Sequence, residues 1–138
     1  MKIRFVLDAW AVLALLQKEE PAASRVRQLL EDAEAGSVEL FISIINLGEV
    51  VYRIGKTMGE TEAWETLHQL RRLPLTAVPA TQEAVFDAVG FKMHHAISYA
   101  DAFAAATSDS LNAVLVTGDP ELARIRPKLQ IEELKRNR

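Results

Sequence analysis

The sequence predicts an α/β fold, a mainly parallel central sheet with helices on both faces. Three observations carry this. Short apolar runs such as Ile3-Arg4-Phe5-Val6-Leu7 and Ala113-Val114-Leu115-Val116 alternate with longer amphipathic stretches. Strands that alternate with helices imply right-handed crossovers and a parallel sheet covered on both sides. No repeat, low-complexity tract or linker interrupts the pattern, and 138 residues suffice for one domain with a real core.

In chain order, residues 3–7 read as a buried strand. A helix follows over 9–17, and Pro21 suits the first turn of another that runs to about Ala35 and ends at Gly36. Residues 39–42 form a short strand. Ser43 is the N-cap of the next helix, which carries Glu49 and fades between Gly55 and Gly59. Residues 60–72 are helical, with Trp64, Leu67 and Leu70 at core-like spacing. A strand over 75–78 precedes a helix capped by Thr81 that passes Val85, Ala88 and Val89 to reach His94. The alanine-rich stretch 99–111 is strongly helical, and Ala102, Ala105 and Ala106 permit close helix packing. A buried strand over 113–116 leads to a short helix at Asp119-Pro120, and 129–131 adds an edge strand. The expected organisation is one domain over 1–131 followed by a charged tail, 132–138.

Composition narrows the function. With 49% hydrophobic and 25% charged residues the chain reads as soluble and globular. It has no cysteine, which excludes disulfides, a thiol nucleophile and sulfur-ligated metal, and fits a reducing cytoplasm. The first apolar run breaks at Asp8, too short for a signal-peptide core. No stretch approaches the roughly 18 apolar residues of a membrane span, so a cytoplasmic protein without membrane contact is expected. His68, His94 and His95 are too scattered for a histidine-rich metal site, so any metal would be held mainly by oxygen. The formal charge of −3 argues mildly against a nonspecific nucleic-acid binder. It leaves a nuclease open, because carboxylates at a metal site lower the net charge while basic residues form a local patch.

Four acids have settings that suggest inward-facing carboxylates. Asp8 ends the first apolar run; Glu49 lies in Ile44-Ile45-Asn46-Leu47-Gly48-Glu49-Val50-Val51. Asp101 opens Ala102-Phe103-Ala104-Ala105-Ala106, and Asp119 follows the last buried strand through Thr117-Gly118. Each also has a structural reading. Asp8 and Asp119 suit helix N-caps, Asp101 suits a helix start through the macrodipole, and a mid-helix Glu49 commonly faces solvent. The chemistry favours a shared site. A carboxylate in apolar surroundings is costly to bury uncompensated. Four together repel one another and raise their pKa values, so a cluster implies a cation or protonation. Mg²⁺ and Mn²⁺ take oxygen ligands, lower the pKa of a bound water and stabilise charge on a leaving oxygen. Asp8 and Asp119 also follow strands at the carboxyl edge of the sheet, where α/β folds bind ligands.

On these residues the chain resembles the PIN-domain ribonucleases, in particular the VapC-type toxins of type II toxin–antitoxin pairs. The resemblance rests on Val6-Leu7-Asp8, Asn46-Leu47-Gly48-Glu49-Val50, Tyr99-Ala100-Asp101-Ala102-Phe103-Ala104-Ala105-Ala106-Thr107 and Val116-Thr117-Gly118-Asp119, and spans nearly the whole chain. It implies a PIN-like three-layer α/β/α sandwich. It also implies a triad of Asp8, Glu49 and Asp101 with Asp119 as fourth acid, all metal-binding and catalytic. The implied activity is Mg²⁺- or Mn²⁺-dependent endoribonuclease cleavage that leaves a 3′-hydroxyl and a 5′-phosphate. A VapB-type antitoxin that lays an apolar segment across the toxin, and a homodimer, follow from the same resemblance. Thr117 matches a position whose hydroxyl often supports the site. The chain departs from many relatives in having Ala9-Trp10 where Thr or Ser follows the first aspartate.

Arg53 and Lys56, at i+4 and i+7 from Glu49, are candidate RNA contacts, as are Arg71-Arg72 and Lys135-Arg136-Asn137-Arg138; all also suit a solvated surface or tail. Trp10 suits base stacking or packing. His94 and His95 suit RNA contact or a helix end. Trp10, Leu13 and Val26-Leu29-Leu30 suit either an antitoxin groove or core. Rival functions are a non-catalytic PIN-like binding module, a housekeeping PIN ribonuclease in RNA processing, and a phosphotransferase using Asp8 as nucleophile. The last resembles haloacid-dehalogenase-like enzymes, but their Asp-x-Asp is Asp8-Ala9-Trp10 here.

Overall fold

Apolar strands buried on both faces need helices above and below them, and the computed structural model, which describes residues 2–126 and 128–137, has that arrangement. Five strands make one all-parallel sheet: β1 (Ile3–Leu7), β2 (Val38–Ser43), β3 (Thr76–Val78), β4 (Val114–Thr117) and β5 (Ile131–Glu133), in the order β3-β2-β1-β4-β5. The helices are α1 (Ala9–Leu16), α2 (Ala22–Glu34), α3 (Ile44–Met58), α4 (Glu60–Leu70), α5 (Gln82–His94), α6 (Tyr99–Ser110) and α7 (Pro120–Ala123). The predicted three-layer α/β/α sandwich is the observed fold.

Alternate residues of the strands serve two cores. Phe5, Leu7, Leu40, Ile42 and Val116 pack with Val12 of α1, Val26 and Leu29 of α2 and Leu47 and Val50 of α3. Val6 and Leu115 face the other way, onto Ala88 and Phe91 of α5, Leu122 of α7 and the alanines of α6. Ala102, Ala104 and Ala105 are fully buried, so α6 approaches the sheet closely, as the small side chains predict. Val26 and Leu29 are core and do not line a partner groove.

The predicted caps form. Ser43 Oγ accepts the Ile45 N–H at 3.2 Å and Thr81 Oγ1 accepts that of Ala84 at 3.1 Å. Gly59 joins α3 to α4 at φ +97° and ψ 162°, a conformation that costs a side-chain-bearing residue dearly. It folds α4 back beside α3, burying Ala63 against Val51 and Ile54.

Three expectations need correction. Trp64 is 56% exposed, because α4 turns Ala63, Thr66 and Leu70 inward and leaves the indole outside, its N–H on Glu60 at 3.0 Å. The edge strand begins at Ile131, while Leu129 is buried in the core beside α6. The charged segment after 131 is not a free tail. Glu132 and Glu133 belong to β5, and Arg25 grips Glu132 with bonds of 2.6 and 2.9 Å. Leu134 is buried and donates its N–H to the Thr117 carbonyl at 2.7 Å. Backbone pairing and one apolar side chain outweigh the charged composition that suggested a solvated end; Arg138 lies outside the described residues.

Candidate active site

Strand order reverses direction at β1: the chain steps outward to β2 and β3, then returns to the far side for β4 and β5. Such a switch point opens a crevice at the carboxyl ends of the two central strands. Asp8 leaves β1 there, and Thr117-Gly118-Asp119 leave β4. In the register that pairs Leu7 with Val116, Asp8 falls next to Thr117.

Asp8 is the N-cap of α1. One carboxylate oxygen accepts the Ala11 N–H at 2.9 Å and the other accepts the Thr117 hydroxyl. The same hydroxyl accepts the Asp119 N–H at 3.0 Å, so Thr117, fully buried, ties the first and fourth acids together. Asp8 is 2% exposed. Burial pushes its pKa up to about 7 despite the two hydrogen bonds, and the charges of Asp101 and Asp119 add to the rise.

Asp101 is the third residue of α6, whose N-cap is Ser98; the Ser98 hydroxyl accepts the Asp101 N–H at 3.1 Å. Burial raises the Asp101 carboxyl to about 6, helped by the charge of Asp119 and by a hydrogen bond between the two carboxyls, with Glu49 contributing less. Two neighbouring carboxyls repel when both are ionised, and a proton or a cation relieves this. Asp119 caps α7 through the Glu121 N–H at 2.9 Å. Glu49 projects from α3, half-buried, and pairs with Arg53 at 3.2 Å.

The cap readings hold for Asp8 and Asp119, and they leave room for a second role. A cap uses one or two lone pairs of a carboxylate that has about four. All four acids line one cavity of about 590 Å³, together with Ala9, Trp10, Leu13, Glu19, Tyr52, Arg53, Lys56 and Arg136. Among the described residues no three Asp, Glu or His groups stand close enough to grip an ion as they are placed. Glu49 is held by Arg53, while Asp101 and Asp119 lie close enough to perturb each other. The donor set is wholly oxygen and carries excess negative charge, which fits a hard divalent cation.

Arg53 and Lys56 line this cavity, as their spacing from Glu49 predicts. Arg71 lines instead an apolar groove between α3 and α4, with Ile44, Leu47, Val51 and Trp64. His94 ends α5, and the adjoining His95 stacks on Phe91, its ring 6.2 Å away; neither lines the acidic cavity. Sequence reasoning assigned Ser98 and Glu19 no part, and Asn46 and Gly118 entered only as members of the motifs, with no role of their own. Asn46 is fully buried and donates to the Ala100 carbonyl at 3.0 Å, fastening α3 beside the start of α6; its own carbonyl oxygen has no partner. Its signal was a lone amide within an apolar run. Ser98-x-x-Asp101 was readable as a capping pair, whereas nothing local marked Glu19.

An all-parallel α/β/α sandwich with four acids at its switch point defines the PIN domain class. The PIN domain family model matches residues 5–127, and the chain belongs to that family. No curated protein matches the chain. Among solved structures it is similar to VapBC2 from Rickettsia felis bound to a promoter DNA fragment, at 19% identity and TM-score 0.71, covering 96% of this chain and 100% of that one. DNA-bound VapBC from Salmonella typhimurium gives 18% identity and TM-score 0.72, with 95% and 98% covered. Mycobacterium tuberculosis VapC20, a sarcin–ricin-loop-cleaving toxin, gives 15% identity and TM-score 0.70, with 88% and 95% covered. At these identities the likeness is one of fold.

Proposed function

We propose that this PIN domain is a divalent-metal-dependent endoribonuclease and the toxin of a type II toxin–antitoxin pair. The observation that carries the reading is the convergence of Asp8, Glu49, Asp101 and Asp119 on one cavity at the switch point. Those four residues would hold Mg²⁺ or Mn²⁺. When bound, the cation neutralises charge on the phosphodiester and lowers the pKa of the attacking water. The chain's own residues do the rest. Thr117 fixes the Asp8 carboxylate, Asn46 and Ser98 set α3 and the start of α6, and Arg53 and Lys56 offer charge to the RNA backbone. Water adds to phosphorus as the bond to the 3′ oxygen breaks. That oxygen takes up a proton, leaving a 3′-hydroxyl and a 5′-phosphate.

The toxin role draws on the relatives described as VapBC complexes. A VapB-type antitoxin is the partner proposed. The apolar groove between α3 and α4 shares Tyr52 and Lys56 with the acidic cavity, so an apolar segment seated there would reach the acids. A homodimer is part of the same proposal; Phe86 and Met93, seven residues apart on α5, are 64% and 72% exposed. No helix among the described residues is long and apolar enough to cross a membrane; a cytoplasmic location is part of the same proposal.

The test is cleavage of a mixed RNA pool by purified, antitoxin-free protein with Mg²⁺, Mn²⁺ or excess EDTA, beside Asp101→Asn. Cuts that need metal, carry 5′-phosphates and fall at least a hundredfold in the variant are expected, on the order of an electrostatic catalytic group's contribution. Equal cutting by Asp101→Asn would move the chemistry elsewhere.

A further inference from the structure

The acidic cavity has a wall to which the proposed chemistry gives no role. Arg136 lies just beyond β5 on a segment held by backbone bonds on both sides: Ala22 N–H to the Lys135 carbonyl at 3.0 Å, and Asn137 N–H to the Glu20 carbonyl at 2.7 Å. Its guanidinium carbon sits 5.0 Å from the centre of the Trp10 ring, and Nη1 donates to Glu19 Oε1 at 3.0 Å. Trp10 rests on Gly118, where even a Cβ would fall 2.3 Å from the indole. Gly118 separates Thr117 from Asp119, so the ring lies directly against the strand end that carries two site residues. Any side chain at 118 would drive it away.

The charge balance shows what this wall can do. Asp8, Glu19, Glu49, Asp101 and Asp119 line the cavity against only Arg53, Lys56 and Arg136. An RNA strand adds a negative charge per nucleotide, so its phosphates need free cationic donors nearby. Arg136 is 28% exposed at its side chain and has five N–H donors, of which Glu19 takes one. A half-exposed pair of this kind contributes little to stability. A planar guanidinium held over an aromatic face is, by contrast, well prepared for two-point contact with phosphate.

We propose that Arg136, held on Trp10, is a substrate-positioning cation that takes non-bridging phosphate oxygens of the RNA strand entering the acidic cavity, with Glu19 as the internal competitor the phosphate displaces. This rests on the endoribonuclease reading. The strand then spans from Arg53 and Lys56 on α3, across the acids, to the segment after β5.

The experiment measures binding of a labelled single-stranded RNA in Mg²⁺ across salt, using Asp101→Asn protein to prevent cutting, together with cleavage kinetics in otherwise wild-type protein. Arg136→Ala is expected to weaken binding about tenfold or more, and to reduce the slope of log affinity against log salt by about 0.7. It raises KM and leaves kcat nearly unchanged. Arg136→Lys keeps the slope and part of the affinity. Glu19→Gln tightens binding, and more with Arg136 than with Arg136→Lys, which separates a freed guanidinium from the mere loss of a negative charge; these two variants carry the test should Arg136→Ala fail to fold. If Arg136→Ala keeps the parent slope and KM while wild-type protein cuts RNA, Arg136 is a clamp and only this inference falls. If Glu19→Gln weakens binding as Arg136→Ala does, the pair is structural and the inference falls as well. If folded wild-type protein neither cuts nor binds RNA, the nuclease reading falls and takes this one with it.

Discussion

A carboxylate pushed up to about 7 by burial carries a direct consequence for stability. Asp8 folds with a proton that its unfolded form, with a pKa near 3.8, has lost above about pH 4. Its contribution to stability is full below that value and is lost as pH rises through about 7. Asp101, raised to about 6, acts in the same direction. The thermal midpoint in EDTA should therefore decline across this range more in wild-type protein than in Asp101→Asn. At pH 8 the variant should melt roughly 3–5 °C higher, the shift produced by about 1 kcal/mol at this chain length. Mg²⁺ or Mn²⁺ should stabilise the wild type and gain effect with pH, because binding competes with protons. Parallel melting curves of wild type and variant at every pH would show that Asp101 is not strained by its neighbours.

Helix placement decides whether the acids meet. Ser43 starts α3 at the end of β2, which sets the phase of Glu49 relative to the sheet. Asn46 then fastens α3 to the opening turn of α6, where Asp101 sits. Asn46→Ala removes the amide hydrogen bond to the half-buried Ala100 carbonyl, and should cost about 0.5–1.5 kcal/mol in urea unfolding. Because it loosens the two helices, metal affinity measured calorimetrically should fall although no acid has changed. A variant that loses stability but binds Mn²⁺ like the wild type would limit Asn46 to packing. Glu49 was visible from the sequence as an acid in an apolar run, but Asn46, three residues earlier, needs the helix partner to explain it. Its amide hydrogen bond spans 54 positions of chain, and no local pattern records such a contact.

For the whole molecule, the closing of the sheet by β5 is the feature that composition disguises. Ending the chain after Glu133 removes the buried Leu134, the backbone bond to Thr117 and the Arg136 pair with Glu19. A free tail would be lost without effect; here unfolding should be easier by about 2–5 kcal/mol, the usual consequence of deleting a buried leucine, with a lower denaturant midpoint as the readout. An unchanged midpoint would show that the segment only rests on the surface.

By itself the sequence determined the α/β class, the alternation of elements and several of their caps, and it singled out four acids, because apolar periodicity, capping chemistry and the cost of a carboxylate in apolar surroundings are all local. Only the tertiary structure decided that β1 lies at the switch point, that Asp101 and Asp119 line the same cavity, and that Arg136 walls it. It also turned Trp64 out to solvent and set Trp10 on Gly118 beneath Arg136. These depend on which strands neighbour one another and which helix face meets the sheet. Both are settled by packing among residues far apart in the chain, where a charged side chain's backbone and stem count as much as its charge.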